Sequence, residues 1–177
     1  MADGPLTGKV ALITGAGSNP GMGRLMALAM VRAGARVAMS DINGEALAHS
    51  VNDAREIGGD QAAMAIVADV SSQEDAERSV QEAIEGLGGL HILVNNAGMN
   101  ATFADAHATR NANFWEIDPA LWARMISVNL SGAFLMSRAA VPHLLEQKWG
   151  RVISVTTSLD TMIRGNNAPY GPSKAGH

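Results

Sequence analysis

Short apolar runs, each about as long as a β-strand, alternate with stretches of helical spacing along most of the chain. No other feature limits the possible architecture as strongly. The runs are Lys9–Thr14, Ala35–Ser40, Ala62–Ala68, Leu90–Asn95 and Arg151–Thr157. They are rich in Val, Ile and Ala and lack strict polar alternation, which suits strands buried on both faces of a parallel sheet. Between them, Gly21–Ala33 carries Leu25, Leu28, Ala29 and Arg32 at three- and four-residue steps. Glu45–Ile57 reads as a helix ending at Gly58-Gly59. Ser71-Ser72-Gln73-Glu74 reads as a capping box with Ser71 as N-cap, opening a helix that runs to about Glu85 and stops at Gly86. Asp118-Pro119 starts another, with Asp as cap and Pro at the first helical position; it extends to about Lys148, with Pro142 as a kink site. Right-handed crossovers then give an α/β fold, a doubly wound parallel sheet with helices on both faces.

Composition narrows the function classes. With 177 residues, 47% hydrophobic and 17% charged, the chain has material for one folded domain. No apolar run approaches the roughly 20 residues of a transmembrane helix. The net charge is −4 and the 13 basic residues are scattered, so a nucleic-acid surface is not expected. There is no cysteine, which excludes disulfides, thiolate catalysis and cysteine-ligated metals. The five histidines lack ligand spacing, so no metal site is expected, and the ten methionines read as gap-filling core. Met1–Lys9 carries no signal-peptide pattern, and the expected setting is cytoplasmic.

The first strand ends in Thr14-Gly15-Ala16-Gly17-Ser18-Asn19-Pro20-Gly21-Met22-Gly23, followed by a helix. Glycines allow a sharp turn and close approach to a pyrophosphate, and the helix start offers unpaired amides and a positive dipole end. The alternative is a tight structural turn. Asp41 ends the second strand, 18 residues beyond Gly23. It can accept from adenosine ribose hydroxyls and repel a 2′-phosphate, which favours NAD over NADP; the alternative is an ordinary helix cap. Asp69, at the end of the third strand, bonds an adenine amine or caps the next helix.

Tyr170 is the only tyrosine, and Lys174, one of three lysines, follows it four residues later. On a helix the two share a face. A phenol titrates near ~10, and a neighbouring ammonium would favour the phenolate and make it a usable base.

Together these residues resemble the short-chain dehydrogenase/reductase family. The matching pieces are the Thr14–Gly23 turn, Asp69-Val70, Asn95-Asn96-Ala97-Gly98, Asn129 in Ser127-Val128-Asn129-Leu130, Thr156-Thr157-Ser158, and Tyr170 with Lys174. The resemblance implies a Rossmann-like domain over residues 1–177 and hydride transfer between NAD and a secondary alcohol or ketone. Tyr170 would be the acid/base, Lys174 would lower its pKa and hold the nicotinamide ribose, and Asn129 would position a relay water. Gly15, Gly17, Ser18, Asn19, Gly21, Met22, Gly23, Asp41, Ile42, Asp69, Val70, Asn96, Ala97 and Gly98 would line the cofactor cleft with Tyr170 and Lys174. A homodimer or homotetramer is implied for the full-length form. The alternative is a non-catalytic nucleotide-binding or sensing domain, or an inactive fragment that still binds NAD.

Four departures stand out against the family pattern. Five residues separate Gly15 from Gly21, two more than usual, with Asn19-Pro20 as the insertion. The family's serine position, thirteen before the tyrosine, is Thr157, and Ser158 is adjacent; either hydroxyl could orient substrate. The Met99–Ile117 stretch is long, and Phe103, His107, Phe114 or Trp115 form a substrate lid or an ordinary exposed loop. Finally, the chain stops at His177, three residues after Lys174. It is therefore expected to be a truncated, processed or incompletely represented version of a longer protein, with the C-terminal strands missing.

Overall fold

The computed structural model describes residues 4–100 and 113–177. Among them, five strands form one parallel sheet in the order β3-β2-β1-β4-β5. They are β1 (Val10–Thr14), β2 (Arg36–Asp41), β3 (Ala63–Val67), β4 (Ile92–Asn95) and β5 (Arg151–Ser154). The helices are α1 (Met22–Arg32), α2 (Gly44–Gly58), α3 (Gln73–Leu87), α4 (Pro119–Ile126), α5 (Gly132–Glu146), α6 (Leu159–Met162) and α7 (Tyr170–Ala175).

Successive side chains of a strand face opposite sides, and β1 shows this directly. Val10 and Leu12 join a core built with Val80, Ala83 and Leu87 of α3 and Met136, Ala140 and Leu144 of α5. Ala11 and Ile13 enter the opposite core with Ala27, Leu28 and Val31 of α1 and Leu47, Val51 and Ala54 of α2. Every β1 residue is buried, because the strand is central and covered on both faces. The parallel sheet with two covered faces is thus the expected doubly wound architecture. β5, at the sheet edge, exposes Val152 and Ile153. No helix among the described residues is long and apolar enough to cross a membrane.

Several element boundaries differ from the sequence expectations, each for a local reason. The α3 cap is Ser72, which accepts from the Asp75 amide, rather than Ser71 with Glu74. Ser71 is drawn away because both its amide and its hydroxyl donate to Asp69 Oδ1. α3 passes through Gly86 and ends at Gly88, whose φ of 73° is the left-handed cap conformation. Asn43, not Asp41, caps α2. The long helix beginning at Pro119 stops at Glu146 and contains a π turn over Ser127–Ser131, where the Gly132 amide reaches back five residues to Ser127 O. β5 ends at Ser154, three residues earlier than expected, and the chain beyond turns into α6. Of the methionines read as core, Met39, Met125 and Met136 are buried, but Met22 is exposed beside the glycine turn.

All strands run the same way, so every strand–helix junction collects at one edge of the sheet. The opposite edge holds the strand starts, with Lys9, His91 and Arg151 around Trp149. Lys9 Nζ sits 4.0 Å and Arg151 Cζ 5.1 Å from the Trp149 ring.

Candidate active site

The glycine turn and the end of β4 are built as one unit. Thr14, fully buried at the end of β1, accepts through Oγ1 from the Asn96 amide at 3.1 Å and the Ala97 amide at 3.0 Å, and donates to Val94 O. Asn96 Nδ2 in turn donates to Thr14 O at 2.8 Å and Gly15 O at 3.0 Å. Three glycines are sterically required here, and a Cβ on Gly21 would stand 2.5 Å from Ser18 O. Gly15 has φ +67°, and a Cβ on it would stand 2.7 Å from Ala97 Cα. A Cβ on Gly23 would stand 2.4 Å from Gly15 O, so only glycine lets α1 start this close to the turn. Ser18, Asn19 and Pro20, which include the inserted pair, are exposed, while Gly17 is buried.

Above this unit lies a crevice of about 340 Å³ lined by Gly15, Ser40, Asp41, Ile42, Asp69, Val70, Ala97, Gly98 and Arg124, among others. Asp41 is held toward it by two amides, Gly17 N to Oδ2 at 2.8 Å and Asn43 N to Oδ1 at 3.0 Å. Asp69 does not cap α3. Its Oδ1 accepts twice from Ser71, and its Oδ2 accepts from Arg124 at 3.0 Å. Burial raises the Asp69 carboxyl, but the bonds from Ser71 and Arg124 outweigh it and hold the group below its ordinary value.

A second depression continues along the sheet edge, lined by Met22, Asn96, Gly98, Met99, Asn100, Val155, Thr156, Tyr170 and Lys174. Tyr170 opens α7 with Pro172 in the first turn, as its fixed φ allows. Lys174 is 5% exposed, and its Nζ donates to Val155 O at 2.7 Å. Burial lowers its pKa from the ordinary lysine value. Asn129, fully buried in the π turn, makes a reciprocal pair with Met99: its Nδ2 donates to Met99 O at 2.9 Å and its Oδ1 accepts from Met99 N at 2.7 Å. A third bond joins Nδ2 to Ser173 Oγ at 2.9 Å, one residue from Lys174. The Asn129 side chain therefore bonds two other segments, the stretch after β4 and α7. The main-chain oxygen of Asn129 accepts from His177 Nε2 at 2.5 Å.

The remaining candidate residues lie in different places. Thr156 lines the depression beside Tyr170, whereas Thr157 and Ser158 are not among its walls. Ser158 caps α6, accepting from the Thr161 amide at 3.3 Å. Of the lid candidates, Phe103 and His107 lie outside the described residues; Phe114 and Trp115 are exposed and pack edge to face at 5.2 Å. Sequence reading gave Thr14 and Arg124 no role. The Thr at the strand end could have been suspected from its place in the turn motif, but nothing adjacent to Arg124 signals its partner.

The fit to a dinucleotide can be tested on the protein alone. The glycine cradle leaves room that side chains would fill, and the buried Ser40 hydroxyl in the crevice wall has no partner among the described residues. Both observations suit a polar, elongated ligand.

The family model for short chain dehydrogenases matches residues 9–177. The chain belongs to that family. A (2S)-[(R)-hydroxy(phenyl)methyl]succinyl-CoA dehydrogenase subunit of Thauera aromatica is 34% identical over 168 residues, covering 95% of this chain and 62% of that protein. A 3-oxoacyl-[acyl-carrier-protein] reductase of Thermotoga maritima is 31% identical over 171 residues, covering 97% of this chain and 64% of the relative. The crystal structure of an NAD+-bound xylitol dehydrogenase superposes with a TM-score of 0.85 at 30% identity, covering 97% of this chain and 62% of that one. The chain thus spans less than two thirds of the length of these relatives. The five-stranded Rossmann-like sheet lies within the matched residues.

Proposed function

We propose that the crevice holds NAD and that the chain transfers a hydride between NAD and a secondary alcohol or ketone. The observation that carries this reading is the depression in which Tyr170 and the buried Lys174 share walls with Met22 of the glycine turn and with Gly98. When bound, the dinucleotide supplies the hydride acceptor or donor.

The residues of the chain supply the rest. Gly15, Gly17, Ser18, Asn19, Gly21, Met22 and Gly23 let the pyrophosphate approach the backbone at the start of α1. Asp41 and Ile42 hold the adenosine end, with Val70, Asn96, Ala97 and Gly98 along the floor. Asp41 favours NAD, since two backbone amides fix its carboxylate in the crevice wall, where it repels a 2′-phosphate. Arg24, the nearest cation to the turn in sequence, is committed elsewhere: its Nε donates to Asp53 at 2.9 Å. Tyr170 takes the alcohol proton in oxidation and returns it in reduction. Lys174 favours the phenolate and holds the ribose, and Asn129 fixes the backbone around it. Thr157 or Ser158 orients the substrate oxygen once substrate is present.

A panel of secondary alcohols offered with NAD or NADP, read by absorbance of the reduced cofactor, tests this. Reduction of NAD in preference to NADP supports it, and binding of NAD without turnover on any alcohol or ketone favours a non-catalytic nucleotide-binding domain.

A further inference from the structure

Arg124 belongs to α4, yet its side chain reaches across to the loop that follows β3. Its Nη2 donates to Asp69 Oδ2 and its Nη1 to Ser71 Oγ, both at 3.0 Å. Ser71 Oγ lies 2.6 Å from Asp69 Oδ1. A guanidinium only donates, so the single hydroxyl proton of Ser71 must point at Asp69. The three side chains form a closed ring in which no rotor is left free. Asp69 Oδ1 accepts two bonds from Ser71 and is saturated, whereas among the described residues Oδ2 accepts only the one from Arg124. One acceptor site therefore remains on Oδ2. Arg124 and Asp69 both line the crevice, and their side chains are 44% and 28% exposed. An ion pair this exposed adds little to stability. What the ring provides is orientation.

We propose that Arg124 is a positioning residue for the adenine end of the dinucleotide, holding Asp69 so that its remaining Oδ2 site meets the exocyclic amine of the base. This rests on the assignment of the crevice to NAD. The consequence is selectivity between bases: a carboxylate fixed in this way accepts from an amine and repels a carbonyl oxygen at the same position. Without the guanidinium, Asp69 is held only through Oδ1, and its Oδ2 is free to face water.

The test compares NAD with nicotinamide hypoxanthine dinucleotide, which carries a carbonyl where adenine has its amine, by calorimetric titration. The wild-type chain is expected to prefer NAD by at least ~10-fold, the scale of one hydrogen bond to a charged group. In Arg124→Met that preference falls to within about twofold, while affinity for both dinucleotides drops because a cation has been removed from the crevice. Arg124→Lys keeps the charge but cannot span two acceptors as a fork does, so it also lowers the preference with a smaller loss of affinity. It decides the matter alone if the Met variant does not fold. A merely structural tie would weaken both dinucleotides equally, so unchanged selectivity in the variants overturns the proposal, as does a wild type that binds both alike. A wild type that binds neither overturns the NAD assignment together with it.

Discussion

Replacing Thr14 by Val removes one oxygen and leaves the shape of the side chain almost unchanged, yet it is expected to be among the most damaging conservative changes in the core. The side chain is 1% exposed, so water cannot take over its role. Its Oγ1 is the acceptor for two amides, Asn96 N and Ala97 N. Each buried amide left without a partner costs about 1–3 kcal/mol. The new methyl group recovers about 1 kcal/mol of that by transfer. The net loss is about 1–5 kcal/mol. With a urea slope of roughly 2 kcal/mol per molar, the unfolding midpoint falls by about 0.5–2.5 M with unchanged slope. Thr14→Ser keeps the acceptor, loses only a methyl group and should cost about 1 kcal/mol. The order wild type, Ser, Val therefore reverses what hydrophobicity alone would give. A Val variant within about 0.5 kcal/mol of wild type, or more stable than Ser, refutes the claim that this hydroxyl joins the glycine turn to the end of β4.

Three further changes bear on other parts of the structure. His91 Nδ1 accepts from the Val10 amide at 3.1 Å, and burial, then Lys9, His143 and Arg36, lower its pKa below the ordinary 6.5. The folded state thus binds this proton less readily than the unfolded one, so stability should be full above pH 6.5 and decline as pH falls from there through the folded value. Urea titrations across that range should show His91→Asn, which keeps an acceptor without the charge, to be flatter. Asp41→Ala removes a fixed negative charge from the crevice and should raise the NADP-to-NAD affinity ratio on the order of tenfold, read by calorimetry. Lys174→Met removes a buried ammonium whose described bond is to Val155 O alone, and should raise unfolding stability by about 1 kcal/mol while abolishing turnover.

The parts of this fold legible in the sequence are those fixed by neighbours in the chain. β1, β2 and β4 read directly because strands buried on both faces are apolar almost throughout, and Asp118-Pro119 caps its helix through Asp118 as expected. The start of α3 slipped by one residue because Asp69, a strand-end residue, competes for Ser71 before the helix can use it. The π turn carrying Asn129 has no such local signature, since Ser127–Ser131 continues the helical pattern on both sides. Long-range partnerships were invisible altogether. Arg124 and Asp69 are 55 residues apart, and Thr14 and Asn96 are 82 apart. Tyr170 and Lys174 were legible as a pair by helical spacing. That Lys174 would be buried beside Val155 depends on where β5 delivers the chain.

The central claim is that Tyr170 moves the proton while the crevice holds the dinucleotide independently of it. Its most direct test is Tyr170→Phe, assayed on an alcohol that the wild-type protein oxidises, with NAD affinity measured in parallel. The account predicts that turnover falls at least ~100-fold, the low end of the effect of a positioned acid or base, while the Kd for NAD changes by less than about threefold. Turnover near the wild-type rate with NAD still bound would contradict it.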